Sequence, residues 1–143
     1  MVQEMSLDEI REYFSHDAFA TDCLGAHVDS FELGGETVCS MALNEHHTNA
    51  QGFVMGGVFM AFCDFTLAVC ANANQTPSCS VTHTMEMMNR CKGERLIAKA
   101  HAVKDGRTLG FYTIDLYDEL GTHIAHMSAT CMKTPQVKPL KDA

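Results

Sequence analysis

The sequence has little positive charge. Ten Lys and Arg stand against 18 Asp and Glu, for a formal net charge of −8 and a pI near 5.3. Sequence-independent nucleic-acid binding needs a basic face, for which an acidic chain is a poor candidate; a phosphorylated small molecule, which needs only a few local cations, stays open. No C-x-x-C pair occurs, and the seven cysteines are odd in number and irregularly spaced. That pattern predicts free thiols packed as small hydrophobes, hence a reducing, cytoplasmic setting. No G-x-S-x-G, dinucleotide or phosphate-loop fingerprint, H-E-x-x-H or zinc-finger spacing is present. A serine-elbow hydrolase, a nucleotide enzyme and a metal site are therefore not expected. The most apolar stretch, Val58 to Ala73, is short and interrupted by Asp64, so no membrane span is predicted. The opening MVQEMSLDEIREYFSHD lacks the basic start and apolar run of a signal peptide.

What is present suits one globular domain over residues 1–143, with 46% hydrophobic and 20% charged residues. Ser6, with Asp8 and Glu9 behind it, predicts a capped helix over about 6–16. Leu7, Ile10, Tyr13 and Phe14 form its apolar face. Two strands, 26–33 and 36–43, flank the hairpin signal Gly34-Gly35. The run after Gly56-Gly57 is apolar on every side, which predicts a buried helix over 57–73. Four extended segments follow, 80–90, 94–104, 108–117 and 122–133, divided by Lys92-Gly93, Asp105-Gly106 and Leu120-Gly121. The tail from 134 to 143 reads as frayed. The order predicts an α+β fold in which an antiparallel sheet packs on one central helix.

Asp64 is the most informative residue. It is the only Asp, Glu, Lys or Arg between Glu45 and Glu86. A buried, unpaired carboxylate is costly, so a helix of purely structural role would rarely carry one. Asp64 either faces a wet seam or a loop it caps, or it is a base or nucleophile tuned by desolvation. Gly56-Gly57 at the helix start could present free amides to a developing oxyanion and let a substrate approach the backbone, though two glycines equally suit a tight turn. Eight residues along one helix is roughly 12 Å, too far for Gly56 and Asp64 to touch one carbonyl. If both act on one substrate, they come from two chains.

The segment HHTNAQGFVMGGVFMAFCDFTLAVCANA, with Asn49, Gly52, Gly56-Gly57 and Asp64 at their spacings, resembles the hotdog-fold thioesterases of the PaaI-like, phenylacetate-pathway type. The strands that follow resemble the second half of that family, including a G-R turn and a D-x-x-G turn. The resemblance implies a curved antiparallel sheet around a long helix, and hydrolysis of an acyl-CoA to free acid and coenzyme A. Coenzyme A would enter only as part of the substrate, with no separate cofactor. It implies catalytic roles for Gly56 (oxyanion hole), Asn49 (loop or water positioning), Asp64 (nucleophile or general base, left open) and Thr82 (orienting water). Gly57, Met55, His47, Arg90, Arg107 and Thr108 are the implied substrate-binding residues, with Arg107 near the coenzyme A phosphates. It further implies a site shared across a homodimer, and two such dimers paired into a homotetramer.

The sequence departs from the family at Met55, where many relatives carry His. His46, His47 and His83 are nearby in sequence and either compensate or are ordinary loop and strand histidines. Met55, Met60, Met85, Met87 and Met88, with Phe59, Phe62 and Phe65, line an acyl pocket or simply fill the core. Two other functions stay open: an acyl-CoA-binding protein without turnover, and a hotdog hydratase or dehydratase. The latter usually pairs Asp with a nearby His, and none follows Asp64 in sequence until His83.

Overall fold

A computed structural model of the chain describes residues 4–135. Helix α1 spans Leu7–Phe14 and begins as the sequence predicts. The Ser6 hydroxyl accepts from the Glu9 N–H at 3.3 Å, and the Glu9 carboxylate accepts from the Ser6 N–H at 2.7 Å. This reciprocal cap satisfies two orphan donors at once. Ile10 and Phe14 are its buried face, and Phe14 meets Phe65 edge-to-face at 6.3 Å. The helix stops before His16, and a π-helical turn at Phe19–Cys23 leads into the sheet.

Strands β1 (His27–Phe31) and β2 (Glu36–Ala42) form the predicted hairpin. Gly34 turns it at φ +73°, a conformation that favours glycine. Helix α2 spans Gly56–Asn72, and ten of its 17 residues are buried, as its all-round apolarity requires. Strands β3 (Ser78–Met87), β4 (Arg95–Asp105), β5 (Leu109–Asp118) and β6 (His123–Lys133) match the four extended segments within a few residues. All six strands form one antiparallel sheet in the order β1-β2-β4-β5-β6-β3. It curves around α2, which is the hotdog arrangement.

The core lies between sheet and helix. Leu96, Ala98, Ala100, Ile114, Leu116, Ile124 and Met127 are fully buried on the sheet, against Phe62, Cys63, Leu67 and Val69 of α2. Each large side chain contributes roughly 1.5–3 kcal/mol by leaving water. At the end of the sheet Asp118 acts as a staple. Its carboxylate accepts from the amides of Lys92, Gly93, Leu120 and Thr122, joining the turn before β4 to the turn after β5. Thr134 is anchored rather than frayed, its N–H donating to the Pro77 carbonyl at 2.7 Å; the rest of the predicted frayed tail, from 136 on, lies outside the described residues.

Two features position the site. Strand β3 is an edge strand, and Val81 and Met87 on it are half exposed. A bulge between Ser80 and Thr82 interrupts its pairing with β6.

Candidate active site

Asp64 sits in the middle of α2, between the buried Cys63 and Phe65. Its own side chain is 51% exposed, on the stripe of the helix that looks toward β3. It lines a cleft of about 210 Å³ with Leu67, Ala68, Ser80 and Cys131. Partial burial pushes its carboxyl above the usual carboxylate range; nearby His83 pulls it back down and Asp17 adds to the rise. Asp64 is therefore neither sealed in the core nor an ordinary surface acid.

His83 is the neighbour that sequence order concealed. Its Nε2 lies 3.2 Å from Asp64 Oδ1, in a geometry short of a hydrogen bond, and that nitrogen is buried without a hydrogen-bond partner. The bulge explains how it arrives there. Opposed residues of an antiparallel pair share a face of the sheet. Ser80 opposes Cys131, His83 opposes Ala129 and Met85 opposes Met127, and all three partners are buried against the helix. Thr82 opposes Thr130, between the inward-facing positions, and is exposed. A one-residue bulge thus turns both Ser80 and His83 inward and Thr82 outward. The structure brings Ser80 and His83 to Asp64 and does not bring Thr82 there. Strict alternation from Ser80 places Thr82 inward, and no residue in the strand signals the bulge.

Gly56 opens α2. Met55 precedes it as N-cap with no side-chain hydrogen bond, so nothing from that side chain occupies the first amides. Gly56 lines a cleft of about 430 Å³ with Phe53, Phe59, Met87, Met88 and Arg90. A Cβ at Gly56 would stand 3.1 Å from the Met87 sulfur, so glycine keeps the backbone clear at this point. Asn49 shapes the loop that delivers Gly56: its Oδ1 accepts from the amides of Gln51 (3.0 Å) and Phe53 (3.1 Å). Gly52, at φ +81°, completes that turn. His47 is buried and committed to the same loop. Its Nδ1 accepts from the Asn44 N–H at 3.1 Å and its Nε2 donates to the Cys23 carbonyl at 3.2 Å, which leaves neither nitrogen for a ligand. Within one chain, then, the helix start and Asp64 line different clefts.

Comparison with known proteins supplies the class. The family described as the thioesterase superfamily matches residues 51–125, a span holding both Gly56 and Asp64. The chain belongs to the thioesterase superfamily. Human acyl-coenzyme A thioesterase 13 is 32% identical over 103 residues, covering 65% of this chain and 74% of that protein. The PaaI protein of the E. coli phenylacetic acid degradation operon superposes with a TM-score of 0.78 at 18% identity, over 90% of this chain and 96% of that one. A Streptococcus pneumoniae thioesterase protein solved with coenzyme A gives 0.78 at 18% identity, over 89% and 98%. The last two show a shared fold, and the class makes thioester hydrolysis the chemistry at issue.

The remaining candidates of this thioesterase divide between two ends of α2. Arg90 lies over the Phe53 ring, 4.1 Å from its centroid, beside Gly56. Gly57 follows Gly56, and a Cβ there would press on the Met55 methyl. Met55, Met87 and Met88 are about half exposed around the helix start, whereas Phe62 and Phe65 belong to the core. Arg107 lines a separate cleft of about 570 Å³ at the C-terminal end of α2, with Asp105, Tyr112 and Lys133. Thr108 closes the turn there, its carbonyl accepting from the Lys133 N–H at 2.8 Å. A single chain does not bring Arg107 and Thr108 to Gly56. Among the described residues no helix is long and apolar enough to cross a membrane, and no cluster of three His, Cys, Asp or Glu is placed to hold a metal.

Proposed function

We propose that this single-domain thioesterase hydrolyses an acyl-CoA to free acid and coenzyme A, in a site that two subunits build together. One observation carries the reading: Gly56 and Asp64 share one helix eight residues apart, yet line separate clefts. One chain cannot present both to one carbonyl, and two chains can. The exposed β3 edge, unpaired on its outer side, is where a second copy would continue the sheet and carry its Asp64 toward Gly56. Pairing of two such dimers, and a cytoplasmic setting for the seven free thiols, accord with this reading. The name of the human relative and the coenzyme A in the Streptococcus protein support the substrate class.

The Gly56 N–H, backed by the positive end of α2, accepts the charge that develops on the carbonyl oxygen. Asp64 of the other subunit then attacks the thioester carbon or takes a proton from the attacking water. Asn49 holds the loop that aims Gly56, and Arg90, with Met87 and Met88, borders the route in. The deciding experiment is chromatographic detection of free acid from a panel of acyl-CoAs, for wild type and Asp64→Asn. Wild-type turnover, falling by about 10²-fold or more in a folded, still dimeric variant, is the expected outcome. Undiminished turnover in the variant would remove Asp64 from the mechanism.

One observation favours a second reading. His83 beside Asp64 makes the acid–base pair that a hydratase of this fold would use. Including a 2-enoyl-CoA in the panel separates the two, because hydration yields a 3-hydroxyacyl-CoA and no free coenzyme A.

A further inference from the structure

We infer that His83 is the positioning residue for Asp64, holding its carboxylate in place and turned toward the thioester. The inference rests on the hydrolytic reading above and deepens it. Three observations support it. His83 Nε2 is buried, has no hydrogen-bond partner, and lies 3.2 Å from Asp64 Oδ1. The β3 bulge between Ser80 and Thr82 is what turns His83 inward, and bulges re-aim side chains next to active sites. Among the described residues of one chain, the lining of the cleft around Asp64 includes no Lys or Arg, which leaves His83 as the neighbour on the same chain able to bear positive charge beside the carboxylate.

The surroundings favour such a partner. The ionisable groups facing the pair are Asp17, in the segment after α1, Cys63 on α2, Cys79 on β3 and Cys131 on β6. Asp17 repels the carboxylate. Burial raises the Cys63 thiol, and pushes that of Cys131 to about 11, so both stay neutral at working pH. Burial itself disfavours the Asp64 anion, and His83 is the neighbour that opposes this.

Both chemical routes need that anion. As a nucleophile, Asp64 forms a C–O bond to the acyl carbon; the C–S bond breaks, and the departing thiolate takes a proton from solvent. Water then cleaves the mixed anhydride and regenerates the carboxylate. As a general base, Asp64 takes a proton from water while the water oxygen bonds to the carbon; the C–S bond breaks, and the proton passes to the thiolate. A protonated Asp64 can begin neither route. A small rotation of either side chain would close the 3.2 Å approach into a hydrogen bond and orient the second carboxylate oxygen.

The test is the pH profile of kcat/KM for wild type, His83→Gln and His83→Met, together with titration of the Asp64 carboxyl carbon by NMR in the unliganded proteins. Loss of the imidazole should move the acidic limb, and the Asp64 titration, up by about one pH unit in both variants. The plateau should drop about 10-fold in His83→Met and recover in part in His83→Gln, which keeps a hydrogen-bond donor. An unmoved limb and an unmoved carboxyl titration in both folded variants would overturn the role of His83. Should wild type hydrolyse no thioester, the hydrolytic reading fails on its own, and the carboxyl titration still decides whether His83 controls Asp64.

Discussion

At the scale of single residues, three carboxylates show how environment rather than identity sets behaviour. Burial raises Asp64 with too little compensation. Asp118 is more deeply buried and burial again raises it, but hydrogen bonds from the amides of Lys92, Thr122 and Gly93 prevail and hold it below the usual range. Asp115 likewise loses hydration, yet His126 and His123, each 2.8 Å from one of its oxygens, keep it low. The consequences for stability have opposite signs. An acid lowered on folding stabilises the protein above its unfolded pKa near 3.9, and that contribution disappears as pH falls through the lower folded value. Asp118→Ala should thus cost about 1–3 kcal/mol at pH 7, because four amides lose their acceptor. The penalty should shrink below pH 4, as read from urea midpoints across pH. Asp64, raised on folding, costs stability when ionised. Asp64→Asn should therefore melt no lower than wild type at pH 7 while losing turnover. A variant that melts well below wild type would show that Asp64 is structural.

At the scale of elements, α1 and β3 offer contrasting tests. The Ser6–Glu9 box caps α1 locally, so Ser6→Ala should cost about 1 kcal/mol. That loss should appear in thermal unfolding without changing assembly. Strand β3 has the opposite profile. Val81, at the bulge, is 51% exposed on the outer edge of the sheet. A lysine there adds charge to an edge without disturbing the core. Val81→Lys should shift the light-scattering mass toward that of one chain, and turnover should fall with it if the site is shared. A full-activity monomer would refute the shared site.

At the scale of the whole molecule, the closed core governs thiol chemistry. Burial pushes Cys39 to about 12 and also raises Cys63 and Cys70, while Cys23 and Cys79 are exposed. A thiol reagent should label Cys23 at once and Cys79 as far as its edge is uncovered, and reach Cys39, Cys63 and Cys70 only after denaturation. Mass spectrometry of quenched digests would show the order, and early labelling of Cys63 would mean that the helix leaves the sheet.

Much of this protein is legible in its sequence because the signals are local. The Ser6 cap, the Gly34 turn, the all-round apolarity of α2 and the lone charge at Asp64 each depend on neighbours within a few positions, and each is found where spacing predicts it. The helical rise alone separates Gly56 from Asp64. Other features belong to tertiary structure, because they join residues distant along the chain. His47, which the family resemblance implies at the substrate, proves to have both nitrogens taken by Cys23 and Asn44. Arg107, which the family resemblance sets near the coenzyme A phosphates, lies within one chain at the C-terminal end of α2, away from Gly56, so only assembly of two chains could join them. The bulge in β3 sends Thr82 outward and brings Ser80 and His83 to Asp64, through pairing with β6 some fifty residues away. Local chemistry determined that a carboxylate would stand in an apolar helix; long-range strand pairing decided which side chains stand beside it.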